Sequence, residues 1–464
     1  MSVDEAMPTS TDRHSRTVRA TGVGSAAVLA GSAASALFLA LTAAPGGATG
    51  ATLTVDSLGD GVASGSHCVD GTAGNCTLRD ALAEAVDGDT IVFDAALAGV
   101  IALSSGPLSV THGVTIGGPG ADVLTVDAQR ASRVFEIVGV SSAVAIEGLT
   151  ITGGRSNPAF ALERERSGGG VYAFNSAGSI TLSNLNIVGN TAVSGLGGGV
   201  FASGSGDVTI VDCLISGNTT ESGRAGGAFI TNFSQSGSIL VRNTTIAGNS
   251  ANDAGGLYVQ TPRPVEIANS TIVGNHATTG QGGGVLTYGS PNVRIDQSTI
   301  TDNSAATNGG GVAFELSTTV TGTIIWGNTS GTAGREDLAS YSGRAITVTS
   351  EGSLFGSIAP QVTLSGTPNL TGVDPMLDPA GLAMHGGATP TIALLAGSPA
   401  IGAGPNPVAM FPGNTYDQRG PGYPRVVGGQ VDIGAFEFGA APPPPTTTTT
   451  ATPGGDPVVP TFTG

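Results

Sequence analysis

The chain has 464 residues, 75 of them Gly, with 11% charged residues and a formal net charge of −17. Low charge density with positive mean hydropathy excludes a disordered chain, and abundant Gly without a Gly-X-Y triplet excludes collagen. All 17 basic residues are Arg. Such an acidic surface is ill suited to nucleic acid, whose affinity comes from neutralised phosphates.

In chain order, Arg13, Arg16 and Arg19 precede an apolar stretch from Val23 to Ala44, and small residues follow to Ala51. This reads as a Sec-type signal over residues 1–51, the alternative being an uncleaved anchor. The mature chain is then exported and carries no other membrane span. Cys68 and Cys76 lie close together, and a disulfide between them suits an oxidising compartment. Cys213 reads as a buried, unpaired thiol. The segment Asn75–Ala85 is the clearest helix, amphipathic and placed ahead of the repeats, so a capping role is expected within residues 52–113.

From residue 114 to 330 the chain repeats. Leu185-Asn-Ile-Val-Gly-Asn190 recurs as Cys213-Leu-Ile-Ser-Gly-Asn218, Thr244-Thr-Ile-Ala-Gly-Asn249, Ser270-Thr-Ile-Val-Gly-Asn275 and Ser298-Thr-Ile-Thr-Asp-Asn303. Glycine clusters ending at Gly170, Gly199, Gly227, Gly256, Gly284 and Gly311 lie between these copies. A period of about 28 residues with alternating apolar positions describes a unit that cannot bury its own apolar face, so successive units must stack. The expected fold is all-β: a right-handed parallel β-helix of about ten coils with a short N-terminal capping helix. Ile187, Ile215, Ile246, Ile272 and Ile300 would form one internal column. Asn190, Asn218, Asn249, Asn275 and Asn303 would form a structural ladder of amides.

Residues 331–438 are expected to hold C-terminal coils and a cap. Ala441-Pro-Pro-Pro-Pro445 and the five Thr after it read as a solvated, disordered spacer within residues 439–464.

Three stretches resemble known families. Cys76-Thr-Leu-Arg-Asp-Ala81 resembles the motif of the CSLREA domain, a module of bacterial β-helix surface proteins. Asp374-Pro-Met-Leu377, Gly386-Gly-Ala-Thr-Pro390, Asp417-Gln-Arg-Gly420 and Asp432-Ile-Gly-Ala-Phe-Glu437 resemble the choice-of-anchor Q domain. The repeats are similar to those of polymorphic outer membrane proteins. These resemblances imply a bacterial surface β-helix and carry no agreed enzymatic activity.

Two features suggest binding. The residues after the first apolar position of each glycine cluster include Tyr172, Phe201, Phe229 and Tyr258, on the opposite strand face from Val171, Val200, Ala228 and Leu257. If the latter face the core, the former make an exposed aromatic column; the other reading places the aromatics in the core. The long loop after Gly154 carries Glu163, Arg164, Glu165 and Arg166, a solvated tip or a binding loop. Against catalysis, carboxylates do not stack in the regular coils. Glu266 falls opposite Arg294 and reads as a surface ion pair. Gly117-Gly-Pro-Gly-Ala-Asp-Val123 matches one calcium-binding nonapeptide, and one copy cannot complete a shared site. His112, His276 and His385 are isolated, so neither metal nor cofactor is expected. The function expected is a monomeric, secreted or cell-surface, non-catalytic scaffold, an adhesin for a polysaccharide or surface protein. A carbohydrate-active enzyme and a structural spacer are the alternatives.

Overall fold

Each repeat becomes one coil because four short strands are separated by bends, several of which place a residue in the left-handed region. In the computed structural model, which describes residues 50–61, 68, 75–159, 161–232, 236–405 and 415–441, one coil runs Val200–Gly204, Val208–Val211, Leu214–Ser216 and Thr219–Thr220, and Ala228–Thr231 opens the next. The signal-like segment and almost all of the Pro/Thr tail lie outside the described residues. Strands from successive coils pair in parallel into four sheets. Sheet I has 12 strands, sheet II 11, sheet III six short ones and sheet IV nine. A coil passes through them in the order IV, I, II, III.

The bends explain the residue pattern. Between sheets I and II, Asn184, Asp212, Asn243, Asn269 and Gln297 all have φ near +50°. Asn and Asp tolerate this region better than other non-Gly residues. Between sheets II and III, Gly189, Gly217, Gly248 and Gly274 have positive φ, and Asp302 takes the place in the next coil. The paired glycines before sheet IV answer a different demand. A Cβ on Gly198 would lie 2.3 Å from the Thr219 carbonyl oxygen, and one on Gly199 2.7 Å from that of Gly227. Only glycine lets the coils approach this closely.

Inside the stack, Ile187, Ile215, Ile246, Ile272 and Ile300 lie in register and are fully buried, each contributing roughly 1.5–3 kcal/mol. The core is continuous from Leu53 to Val362. Beside the isoleucines runs the amide ladder. Asn218 donates its backbone N–H and its Nδ2 to Oδ1 of Asn249, and Nδ2 also donates to the Ile187 carbonyl. The same three bonds recur at Asn190, Asn249, Asn275 and Asn303, and the ladder extends to Asn328. It ends on a carboxylate: Asn328 donates both groups to Oδ1 of Asp337, whose Oδ2 accepts from Ser357.

The N-terminal end departs from expectation in order. Thr52–Val55 already belongs to sheet I, paired with Thr90–Phe93, so the helix Leu78–Glu84 is inserted between the first two strands. It is shorter than the motif suggests, starting after Thr77, which forms a capping box with Asp80. Arg79 holds it down by bonding Asp60 and the carbonyls of Gly106 and Pro107. Cys68 and Cys76 are disulfide-bonded.

After Leu370–Thr371 the chain leaves the stack and turns back along its flank. The Thr245 hydroxyl donates to the Pro390 carbonyl, Gln418 bonds both Thr245 and Thr271, and the backbone of Ala435 bonds Thr299. This strap covers part of the outer face of sheet II, burying Ile324 and Leu354 against Leu394, Ala400 and Ile433. Within it, Asp417, Arg419, Arg425, Asp432 and Glu437 are all buried. Arg425 reaches out of the strap to Asn269. The stretches that resemble the choice-of-anchor domain thus lie along the side of the stack.

Candidate functional site

The aromatic column exists and is closed. Tyr172, Phe201, Phe229 and Tyr258 stack in register on the outer face of sheet IV, with ring centroids 5.4, 6.0 and 4.8 Å apart. Alternation therefore assigned the face correctly. None of the four, however, is more than 4% exposed. The loops leading into sheet IV fold back over the rings and place Leu196, Ala225 and Ala254 against them, forming a second apolar cluster outside the sheet. The expected exposure of the column is thereby corrected: the physical cause is the cover supplied by these loops. The long loop completes the cover at one end. Glu163–Arg166 is a single 3-10 turn, the Arg164 guanidinium lies 5.4 Å over Phe174, and Arg133 lies 4.1 Å over Tyr172. Arg133 also bonds the Glu165 carbonyl, and Ser156 bonds that of Arg166. Glu163 and Arg164 are exposed and Arg166 is partly so, at the tip of a loop whose backbone is tied to the stack.

The open concavity is elsewhere. A cleft of about 500 Å³ runs along the outer face of sheet I. Its floor is the outward residues of consecutive strands: Leu240, Glu266, Arg294 and Thr319 follow one another in register, and Thr349 pairs with Thr319. The rim comes from the turns entering the sheet, where Pro264 and Pro291 stand beside Ser238, Asn292 and Ser317. The cleft spans five coils, or about 19 Å at the strand spacing of about 4.8 Å.

Charge in the cleft is arranged differently from the simple pair expected. Glu266 and Arg294 are neighbours in register, but Arg294 turns along its own strand and bonds Asp296, with Nε 3.1 Å and Nη2 3.0 Å from Oδ2. The Asp296 side chain is fully buried and that of Arg294 half exposed. Asp296 therefore pins the guanidinium from beneath. The expected ion pair is replaced because the neighbour two residues along the strand can be bonded twice. Glu266 is left bonded to no side chain among the described residues. Burial and the field of Asp296 push its carboxyl up, against the pull of Arg294 and Arg242. Burial raises Asp296 as well, opposed by Arg294. Perturbed carboxyls in a cleft mark a functional candidate. Among the described residues no three His, Cys, Asp or Glu gather as a metal site requires.

Sequence reasoning passed over this cleft. The signal was present as a change of residue type: the outer column of sheet I reads Thr181 and Thr209 in earlier coils, then Leu240, Glu266 and Arg294, with Pro264 and Pro291 appearing in the same coils.

A family model described as the right-handed beta helix region matches residues 135–332. The chain folds as a right-handed parallel β-helix. No curated protein matches it in sequence. Among solved structures, the β-helix is similar to the crystal structure of pectate lyase Pel9A, with 15% identity and a TM-score of 0.47 over 84% of this chain and 97% of that one.

Proposed function

We propose that this β-helix is a secreted or cell-surface protein that binds glycan chains along the outer face of sheet I without cleaving them. The observation that carries the reading is the cleft itself. It is open at the surface, five coils long and lined by hydroxyl, amide and charged groups together with Leu240 and two prolines. An extended polymer laid along the coil axis would meet a new set of such groups about every 4.8 Å. The disulfide supports an exported protein. A hydrolase would need two carboxylates flanking the scissile bond. Glu266 alone lines the cleft among the described carboxylates, and Asp296 lies buried under Arg294.

Electrophoresis of the purified protein through gels containing single polysaccharides, with an assay for new reducing ends and unsaturated products, tests the reading. Retardation without product is expected, and Thr319→Arg, which places a bulky side chain on the cleft floor, should abolish it. Product formation would overturn the non-catalytic reading, and retardation unaffected by Thr319→Arg would move the site elsewhere.

A further inference from the structure

We propose that the cleft selects neutral over anionic glycans, with Glu266 accepting paired sugar hydroxyls on its floor; this rests on the cleft being the glycan site. Three observations carry the inference. First, the guanidinium of the residue in register with Glu266 is already engaged: Arg294 spends Nε and Nη2 on Asp296. A guanidinium so held has less donor capacity for a polymer carboxylate. Second, Glu266 stands on the floor between Leu240 and Arg294, one coil from each, and bonds no side chain among the described residues. Its oxygens need donors, and adjacent hydroxyls of a sugar ring supply two at once to a carboxylate. Third, the remaining polar lining is hydroxyl and amide: Ser238, Asn292, Ser317, Thr319, Thr347 and Thr349.

An anionic chain meets the opposite situation. Each of its carboxylates entering the cleft adds negative charge beside a half-buried Glu266 that no side chain bonds among the described residues, and like charges in a partly desolvated site repel strongly. The chain's net charge of −17 adds a longer-range penalty that salt will screen. Arg242 and Arg294 are the groups facing Glu266 that favour the contrary outcome, and the experiment sets them against it.

The test is calorimetric titration of the full chain with a neutral xylan and a neutral mannan, and separately with polygalacturonate, at low and moderate salt. The wild type should bind a neutral polymer and bind polygalacturonate at least tenfold more weakly at low salt. Glu266→Gln keeps the shape, removes the charge and one acceptor, and breaks no side-chain hydrogen bond among the described residues, so its melting temperature should stay close to that of wild type. It should weaken neutral binding about tenfold, the difference between a charged and a neutral hydrogen-bond acceptor, and narrow the gap to polygalacturonate. Equal or tighter binding of polygalacturonate by the wild type, or neutral binding unchanged in Glu266→Gln, overturns the selectivity. If Thr319→Arg still abolishes that binding, the cleft survives as the glycan site and only the selectivity falls. Absence of binding to every polymer by wild type overturns both.

Discussion

Asn249 makes four side-chain hydrogen bonds: its Oδ1 accepts the backbone N–H and the Nδ2 of Asn218, and its own Nδ2 donates to the Ile215 carbonyl and to Oδ1 of Asn275. Every one of these partners is buried, so truncation strands them. Asn249→Ala should cost on the order of 3–5 kcal/mol, since each unsatisfied buried group costs about 1–3 kcal/mol; a lowered midpoint in urea unfolding is the measurement. Asn249→Asp should be worse, because a carboxylate cannot donate to either acceptor, the Ile215 carbonyl of the preceding coil or Asn275 of the following one. The amide column was legible because one residue type recurs at one place in each copy. Its terminator was not: Asp337 follows Asn328 by nine residues, off the period, and is recognised only through the two Asn328 donors it satisfies. Cys213 occupies a neighbouring column, where Thr244, Ser270, Ser298 and Thr323 accept backbone N–H groups from the preceding coil. It is buried and free, and burial pushes its thiol up to about 12. The thiol should therefore ignore an aromatic disulfide reagent in the native protein and react fully in denaturant. Rapid native labelling would contradict this placement.

At the scale of the element, the strands were legible and their covers were not. A period of two states which side of sheet IV Tyr172, Phe201, Phe229 and Tyr258 occupy, but the path of a loop has no period. The clue lay in small side chains at the entry to sheet IV: Ala225 and Ala254, both at φ near +55°, sit against the ring faces. The stack is consequently a structural element. Phe201→Ala should cost about 3–5 kcal/mol, as a truncated buried aromatic does, and leave glycan affinity unchanged in whatever fraction remains folded. Loss of affinity with unaltered stability would restore the rings to a binding role. The helix Leu78–Glu84 shows the same division. Its capping box was readable in Thr77 and Asp80, whereas its insertion after the first strand of sheet I depends on a pairing between Thr52–Val55 and Thr90–Phe93 that no local pattern announces.

For the whole stack, the strap is the feature whose position the sequence did not reveal. Its contacts with Thr245, Thr271 and Thr299 join residues more than 100 positions apart, and such pairings carry no periodic signature. Its buried cluster holds three carboxylates, Asp417, Asp432 and Glu437, against two guanidiniums, Arg419 and Arg425. One carboxyl therefore retains its proton well above the ordinary range, and burial pushes Glu437 up to about 8. A folded-state value raised from 4.5 means that this group's contribution is fully present below about pH 4.5 and is lost progressively as pH rises toward 8. Thermal unfolding across that interval should show stability declining, and Glu437→Gln, neutral throughout, should flatten the decline. An unchanged slope in the variant would assign the effect to another group.

The central claim is that ligand lies on the outer face of sheet I. A crystal structure with a neutral oligosaccharide tests it most directly. The sugar should lie along the coil axis over Leu240, Glu266, Arg294 and Thr319, with adjacent hydroxyls on the Glu266 carboxylate. A sugar seated instead on the loops that cover Phe201 and Phe229, or on the Glu163–Arg166 turn, would contradict it.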